Sequence, residues 1–370
     1  MRAELVAHAG LVVAGLVSFV LMGAGQSLYG PAVPVFARDF GIGTGQAGFL
    51  VSAHWIGAAA GVALMYVAGD RVTPRMTLAA MATGAGGIAL GAGWWVTLAA
   101  AAVFGFGYGL ATVIYNRRFL AAFGARGPSM LAFLNAIFGI GAIGAPLVFV
   151  AIGGDPALAF AVVAAMAVAT FVLARVAPAP AAAALAAGPF RPRPGILGFG
   201  ALAIGTEACL IGLGPTGLIA RGVSEAGAAQ LLSAFFAAFL LARLALVPLA
   251  GRIVPFVLLA TALTVSGACA AGLAAGGPVW LFVAMGAAAG LFFPAFYMAG
   301  VGQMGSDARV APTLIAAGLA GGISAPLIMG AVMGAIGNGI LFALVAVLTL
   351  AAAAMAWPMV RAMRAAGQPA

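Results

Sequence analysis

The chain carries only seven acidic side chains and sixteen basic ones in 370 residues, and every basic residue is arginine. Chemistry is therefore signalled by the few polar groups that interrupt apolar runs. Glu207 is the one carboxylate expected deep inside such a run. There it can take up and release a proton or contact a solute, or it can stay protonated or Arg-paired and lock two helices together. Arg117 and Arg118 follow Asn116. Neighbouring helical residues point about 100° apart, so one guanidinium at most faces a pore squarely while the other snorkels to the headgroups. A guanidinium in a cavity offers a planar fork to a carboxylate or phosphate, which would make the solute anionic. Arg243 suits either a second cavity charge or the partner of a helix end.

The remaining candidates are neutral. His54 can relay protons or serve as a hydrogen-bonded packing residue. Gln26, Asn116 and Asn135 can bind solute or tie helices together, and the last two are expected to meet across one helical hairpin. Tyr108, Tyr115 and Tyr297 can line a cavity or pack in the core.

Other chemistries find little support. Gly105, Gly107 and Gly109 mimic a phosphate-binding loop, yet no strand-to-helix turn accompanies them, so they read as points where helix backbones approach closely. Met329 and Met333, with His54, allow a soft-metal reading such as Cu(I), although methionine also fills irregular apolar packing. Cys209 and Cys269 lie in separate apolar runs without a CxxC spacing and read as small core residues. No nucleophile with a base, metal cluster or carboxylate pair appears, so neither an enzyme, a cofactor nor a bound metal is expected. Dispersed arginines without aromatic interleaving argue against nucleic acid.

These residues need a membrane-spanning frame to position them. Hydrophobic residues make up 65% of the chain and charged ones 6%, with a mean hydropathy of +1.20, a balance that excludes a soluble globular domain. At about 20 residues per span, the chain holds twelve helices and little else. Charge, Gly and Pro breaks predict spans at 8–36, 45–68, 76–95, 97–122, 129–152 and 157–177, then 196–219, 226–248, 254–275, 278–301, 309–334 and 338–360. This gives an N-terminal six-helix bundle over 1–177, a Pro-rich cytoplasmic linker over 178–195 and a C-terminal bundle over 196–370. The first apolar run, from Leu11 to beyond Val35, is too long for a signal peptide and reads as an uncleaved helix.

Arginine sets the orientation. Arg2, Arg71, Arg75, Arg126, Arg175, Arg191, Arg193, Arg252, Arg309, Arg361 and Arg364 fall inside, against only Arg38 and Arg221 outside, so both termini are expected in the cytoplasm. The halves also repeat. Gly141-Ala-Ile-Gly-Ala-Pro-Leu147 recurs as Gly321-Gly-Ile-Ser-Ala-Pro-Leu327 with five of seven positions identical. Gly30-Pro31 pairs with Gly214-Pro215, Ser52-Ala53 with Ser233-Ala234, and Ala68-Gly69 with Ala250-Gly251. Pro146 and Pro326, equivalent in this repeat, are expected to kink spans five and eleven. Parallel six-helix repeats of this kind predict a substrate site near the bilayer midplane.

The turn Gly69-Asp70-Arg71-Val72-Thr73-Pro74-Arg75 resembles the G-x-x-x-D-R-x-G-R signature of the major facilitator superfamily. Thr73 stands where Gly is usual, and Pro74 is one residue extra. The resemblance implies the all-α major facilitator fold of twelve transmembrane helices in two halves, with Gly69, Asp70, Arg71 and Arg75 bracing helix ends as the protein switches access. Glu207, Asn116 and Arg243 look similar to the fucose-permease-like branch, whose acidic residues in spans one and four have no counterpart here. Gly139 to Pro146 loosely resembles the span-five motif of facilitator antiporters.

The expected function is alternating-access symport of a small polar or anionic solute with protons, by a monomer in a bacterial inner membrane. The alternatives are efflux of amphipathic compounds, copper uptake, and a non-transporting assembly factor on the same scaffold.

Overall fold

The computed structural model describes residues 8–68, 71–174, 190–249, 253–305 and 307–365. These contain twelve long helices and no strand: α1 (Ala9–Asp39), α2 (Phe49–Ala68), α3 (Pro74–Ala89), α4 (Trp94–Phe123), α5 (Gly127–Ala151), α6 (Pro156–Leu173), α7 (Pro194–Ile219), α8 (Glu225–Leu246), α9 (Pro255–Ala274), α10 (Leu281–Met304), α11 (Val310–Ile336) and α12 (Leu341–Ala365). Helix starts follow local chemistry. Thr73, Asp155 and Ser224 accept hydrogen bonds from first-turn amides of α3, α6 and α8, and Pro74, Pro156, Pro194 and Pro255 sit in first turns, where a missing N–H costs nothing. The extra Pro74 of the sequence motif is thus the first residue of α3.

Ten of these helices are long and apolar enough to cross a membrane. Bulky apolar side chains stand exposed on both units, among them Ile56, Trp95, Ile140, Leu241 and Val347, which water would penalise and lipid tails accept. The chain is a multi-pass membrane protein. The boundary furthest from expectation lies between spans three and four. Span three stops at Ala89 and α4 starts at Trp94, because Gly91 and Gly93 adopt φ of 59° and 113°, a left-handed turn open to glycine at little cost. Trp94 and Trp95 therefore open α4 rather than ending α3.

The chain divides into two compact units. One comprises Met1–Ile42 and Phe49–Ala183, the other Gly43–Gly48 and Ala184–Ala370. The second unit thus includes a short segment, Gly43–Gly48, that the predicted bundle over 1–177 had enclosed. Its one-turn helix Thr44–Ala47 packs on α11, and Thr44 Oγ1 donates to Asn338 Oδ1 at 2.6 Å.

Each unit packs in the same pattern. α1 lies on α5, α2 on α4, and α3 on α4 and α6; correspondingly α7 lies on α11, α8 on α10, and α9 on α10 and α12. Glycine sets the closest approaches. A Cβ on Gly105 or Gly109 would land on the backbone carbonyls of His54 or Ala58, and one on Gly286 or Gly290 on those of Phe235 or Phe239. The step along the chain from Gly105 to Gly286 equals that from Gly109 to Gly290 and from His54 to Phe235. Likewise Gly141 rests on the Val20 carbonyl and Gly321 on that of Ala201.

These contacts predict a graded response to alanine. Gly141→Ala and Gly321→Ala should each destabilise the protein by about 1–3 kcal/mol, the usual cost of overpacking. Gly144, on the same helix as Gly141, has no atom within 4 Å of the place an added methyl would take, so Gly144→Ala should melt like the unmodified protein in detergent. Equal melting of all three variants would refute the glycine–carbonyl account.

Candidate functional site

In the second unit the candidate site is built around Glu207, midway along α7. Its Oε2 is buried without a hydrogen-bond partner, and Arg243 on α8 is the charged side chain whose field reaches it. Arg243 itself is held elsewhere. Its Nε donates to the Gly290 carbonyl at 3.0 Å, and its guanidinium lies 4.2 Å from the Phe239 ring centroid. That carbonyl is free for a reason visible in the sequence. Its ordinary helical donor would be the amide of residue 294, which is proline inside α10. Gly290 also lets α8 approach closely enough for Arg243 to span the gap.

In the first unit the structure brings together residues that the sequence had offered separately. Gln26, 6% exposed on α1, accepts a hydrogen bond from the Tyr108 hydroxyl of α4 at 3.1 Å. His54 of α2 lies 5.0 Å from Tyr108, edge to face, and is also ringed by Tyr29, Trp55 and Phe104. Its Nδ1 shares a 3.3 Å hydrogen bond with the Tyr29 hydroxyl. The opposite nitrogen, Nε2, is buried and unpaired. Tyr29, Trp55 and Phe104 were not among the candidates; three-dimensional convergence, rather than any motif, identifies them.

Towards the C-terminal end of α4, Arg118 is buried beside Tyr115 and Arg117, while Arg117 is half-buried. Ser18 donates to the Tyr115 hydroxyl at 3.0 Å. The expected meeting of two asparagines does not occur. Asn135 is exposed and donates to Leu131 of its own helix at 2.9 Å, a local bond that removes any need for an interhelical one. Asn116 Oδ1 stays buried and unpaired.

The gating turn is seen in part. Gly69 and Asp70 lie outside the described residues. Arg71 is exposed. Arg75 donates from Nε to the Ala174 carbonyl at the end of α6, at 3.0 Å, and lies over Phe171; a cation suits the negative end of a helix. α5 and α11 run unbroken through Pro146 and Pro326. Sequence reasoning missed a cluster in the second unit. Asp307, buried, accepts three bonds from Arg309, from its guanidinium at 2.7 and 3.2 Å and from its backbone N–H at 2.9 Å, and Arg309 lies over Phe190. Those bonds push the Arg309 guanidinium above its usual value, further towards the charged form. An Asp-x-Arg spacing just before a helix was the available signal. Met329 and Met333 are buried on α11. An apolar cleft between α1, α5 and α6 is lined by Val20, Leu28, Ile140, Val148, Val162 and Met166, among others.

Two six-helix units of apolar, glycine-packed spans, with a few enclosed polar groups, define a multi-pass membrane protein, and the family its sequence matches is one of transporters rather than enzymes. The chain belongs to the Major Facilitator Superfamily, whose family model matches residues 15–311. No curated protein sequence matches it. Among solved structures it is similar to the nucleoside transporter NupG, with a TM-score of 0.74 at 16% identity over 97% of this chain and 99% of that one. It is also similar to the xylose transporter XylE from E. coli, at 0.70 and 14% over 94% and 98%, and to the E. coli fucose:proton symporter FucP, at 0.59 and 18% over 93% and 98%. At these identities the likeness is one of fold.

The seat of Arg243 can be tested without a substrate. Pro294→Ala supplies an amide that competes for the Gly290 carbonyl. Losing one hydrogen bond and some cation–π attraction, together about 1.5 kcal/mol, should free Arg243 about tenfold. Phenylglyoxal modification at residue 243, followed by mass spectrometry, should accelerate accordingly. An unchanged rate would show that the carbonyl does not hold the guanidinium.

Proposed function

We propose that this chain is a proton-coupled secondary transporter that moves a small polar or anionic solute by alternating access, with Glu207 as the proton-carrying group. The observation that carries the reading is the buried, unpaired Oε2 of Glu207 within the field of an arginine bonded to another group. Such an oxygen can be satisfied by a proton or by a donor on the solute, which links the two ligands. Arg243 supplies the countercharge when the carboxyl is ionised, and Arg117, Arg118 and Asn116 offer donors to an anionic group. The names of similarly folded proteins, a D-xylose–proton symporter and a fucose:proton symporter among them, agree with coupling of this kind.

Orientation rests on the arginine bias, with both termini in the cytoplasm of a bacterial cell whose inner membrane holds the protein as a monomer. By resemblance to the family, Asp70, Arg71 and Arg75 brace helix ends during switching, and kinks at the repeat-related Pro146 and Pro326 would give gating its bends in α5 and α11. A second reading, efflux of amphipathic compounds, draws on the apolar cleft between α1, α5 and α6. It predicts transport of fluorescent amphiphiles that is indifferent to Glu207.

Purified protein in liposomes separates these readings. With labelled monosaccharides, nucleosides and small carboxylates outside, an inward acid gradient should drive accumulation of at least one solute above equilibrium. Glu207→Gln should abolish that accumulation, by at least about tenfold in initial rate, while exchange of internal for external solute persists. Gradient-driven uptake that survives in Glu207→Gln would remove the coupling role.

A further inference from the structure

The register of the repeat gives Gln26 a counterpart. Gly141 rests on the carbonyl of Val20 and Gly321 on that of Ala201; Gln26 follows Val20 by the same number of positions as Glu207 follows Ala201. A second contact keeps the register, for Gly23 meets Phe138 and Ile204 meets Gly318. The interval from Gly23 to Ile204 equals that from Gln26 to Glu207. The position that holds a carboxylate in one unit therefore holds an amide in the other, each near the middle of its unit's first helix.

Both side chains reach beyond their own helix and keep polar atoms unbonded. Glu207 Oε2 has no partner. Gln26 Oε1 is committed to the Tyr108 hydroxyl, which fixes the amide plane and turns its NH2 the other way; among the described residues that NH2 bonds to nothing. Behind this amide stands an aromatic wall. His54 is fully buried and braces the rings of Tyr108 and Trp55 edge-on. Those two rings are only half-buried, 5.9 Å apart and steeply inclined at 71°.

We infer that Gln26, Tyr108 and Trp55 form the first unit's solute subsite, and that it takes a neutral, ring-bearing solute. On the reading of the chain as a solute transporter, on which this rests, the Gln26 NH2 donates to an acceptor oxygen while the solute's ring lies against the two aromatic faces. The chemistry selects that class. An amide with its acceptor occupied offers only donors, and indole and phenol faces pair with cyclic C–H or π surfaces rather than with flexible chains. The hydrogen-bonding and ring partners found around the subsite are neutral: Tyr29, His54, Phe104 and Tyr108. A solute anion would find no countercharge among them. This favours the polar over the anionic member of the two solute classes.

Trp55 makes the subsite observable. In a variant whose Trp94, Trp95, Trp280 and Trp357 are replaced by Phe, emission from Trp55 is titrated with D-glucose and uridine, and with acyclic sorbitol and anionic succinate as comparators. A saturable change with glucose or uridine, and none with sorbitol or succinate, is the expected result. Gln26→Ala should raise Kd about tenfold, the loss of one well-placed hydrogen bond in an enclosed site, and Tyr108→Phe should raise it about threefold by releasing the amide plane. Calorimetric titration of the chain with all its tryptophans, with and without Gln26→Ala, gives the same comparison if the four replacements prevent folding. Stronger binding of succinate, an unchanged Kd in Gln26→Ala, or no response to either ring solute would overturn the assignment. If Gln26→Ala leaves Kd unchanged while Glu207→Gln still loses gradient-driven uptake, the subsite falls and the transporter reading stands. A protein that neither binds nor moves any solute removes both.

Discussion

A glycine Cα laid on the carbonyl oxygen of the neighbouring helix is the contact from which both six-helix units are built. Lipid tails are as apolar as leucine, so burying apolar side chains gives helices in a bilayer little reason to associate. Close backbone approach does, through dispersion and Cα–H···O contacts. Such contacts tolerate no added carbon, and they fix helix rotation as well as spacing. Once Gly105 and Gly109 seat on His54 and Ala58, and Gly286 and Gly290 on Phe235 and Phe239, the directions of all neighbouring side chains are set. His54 then occupies in its unit the place that Phe235 occupies in the other. Both are enclosed by rings, Phe235 by Phe236, Phe239 and Phe282, but only Trp55 and Phe236 stand at equivalent places; Tyr29, Phe104 and Tyr108 around His54 answer to Leu210, Met285 and Ala289. The backbone seat is inherited from the repeat; the rings around it were acquired separately in each unit.

The repeat is strict in backbone and free in chemistry. Gly290 and its equivalent Gly109 both pack on a carbonyl, but only α10 carries a proline one turn later, at Pro294. Only in the second unit, therefore, is a helix carbonyl released at this level, and an arginine on α8 fills it. Valine holds both corresponding places in the first unit, at positions 62 and 113. Gln26 and Glu207 differ in the same manner, an amide braced by a phenol against a carboxyl within reach of a guanidinium. Duplicated packing supplies two equivalent cradles, and substitution makes one neutral and the other ionisable.

Much of the frame was legible because membrane solvation writes it into composition. Apolar runs of span length, breaks of charge, Gly and Pro, and the Ala-Pro-Leu repeat located twelve helices and their order. Where the apolar run did not pause, as at Trp94 and Trp95, the boundary was misjudged, and only backbone dihedrals at two glycines resolve it. The Gln26–Glu207 equivalence was hidden for a related reason. Gly30-Pro31 and Gly214-Pro215 stand further apart along the chain than the packing contacts do, and in a chain with 55 glycines no single match fixes a register. Asn135 misled because its own helix satisfies it. Asp307 escaped notice because a lone acid in a connecting segment carries no periodic signal.

The distinction between packing and working polar groups follows from how the helices treat their hydroxyls. Thr112, Thr170, Thr264, Ser324 and Thr349 each donate to a carbonyl one turn back on the same helix, a solution open to short polar side chains, although Ser52, Thr216 and Ser266 keep buried hydroxyls without a partner. Glutamine and glutamate are too long for that solution and must find partners on other helices or on a ligand. In apolar surroundings an unsatisfied group costs on the order of 1–3 kcal/mol, and a mutation to leucine would remove the cost at either position. Gln26 and Glu207 share one place in the repeat, and each keeps an unbonded polar atom. Those unbonded atoms, left over by the packing, are what the roles proposed for the two residues rest on.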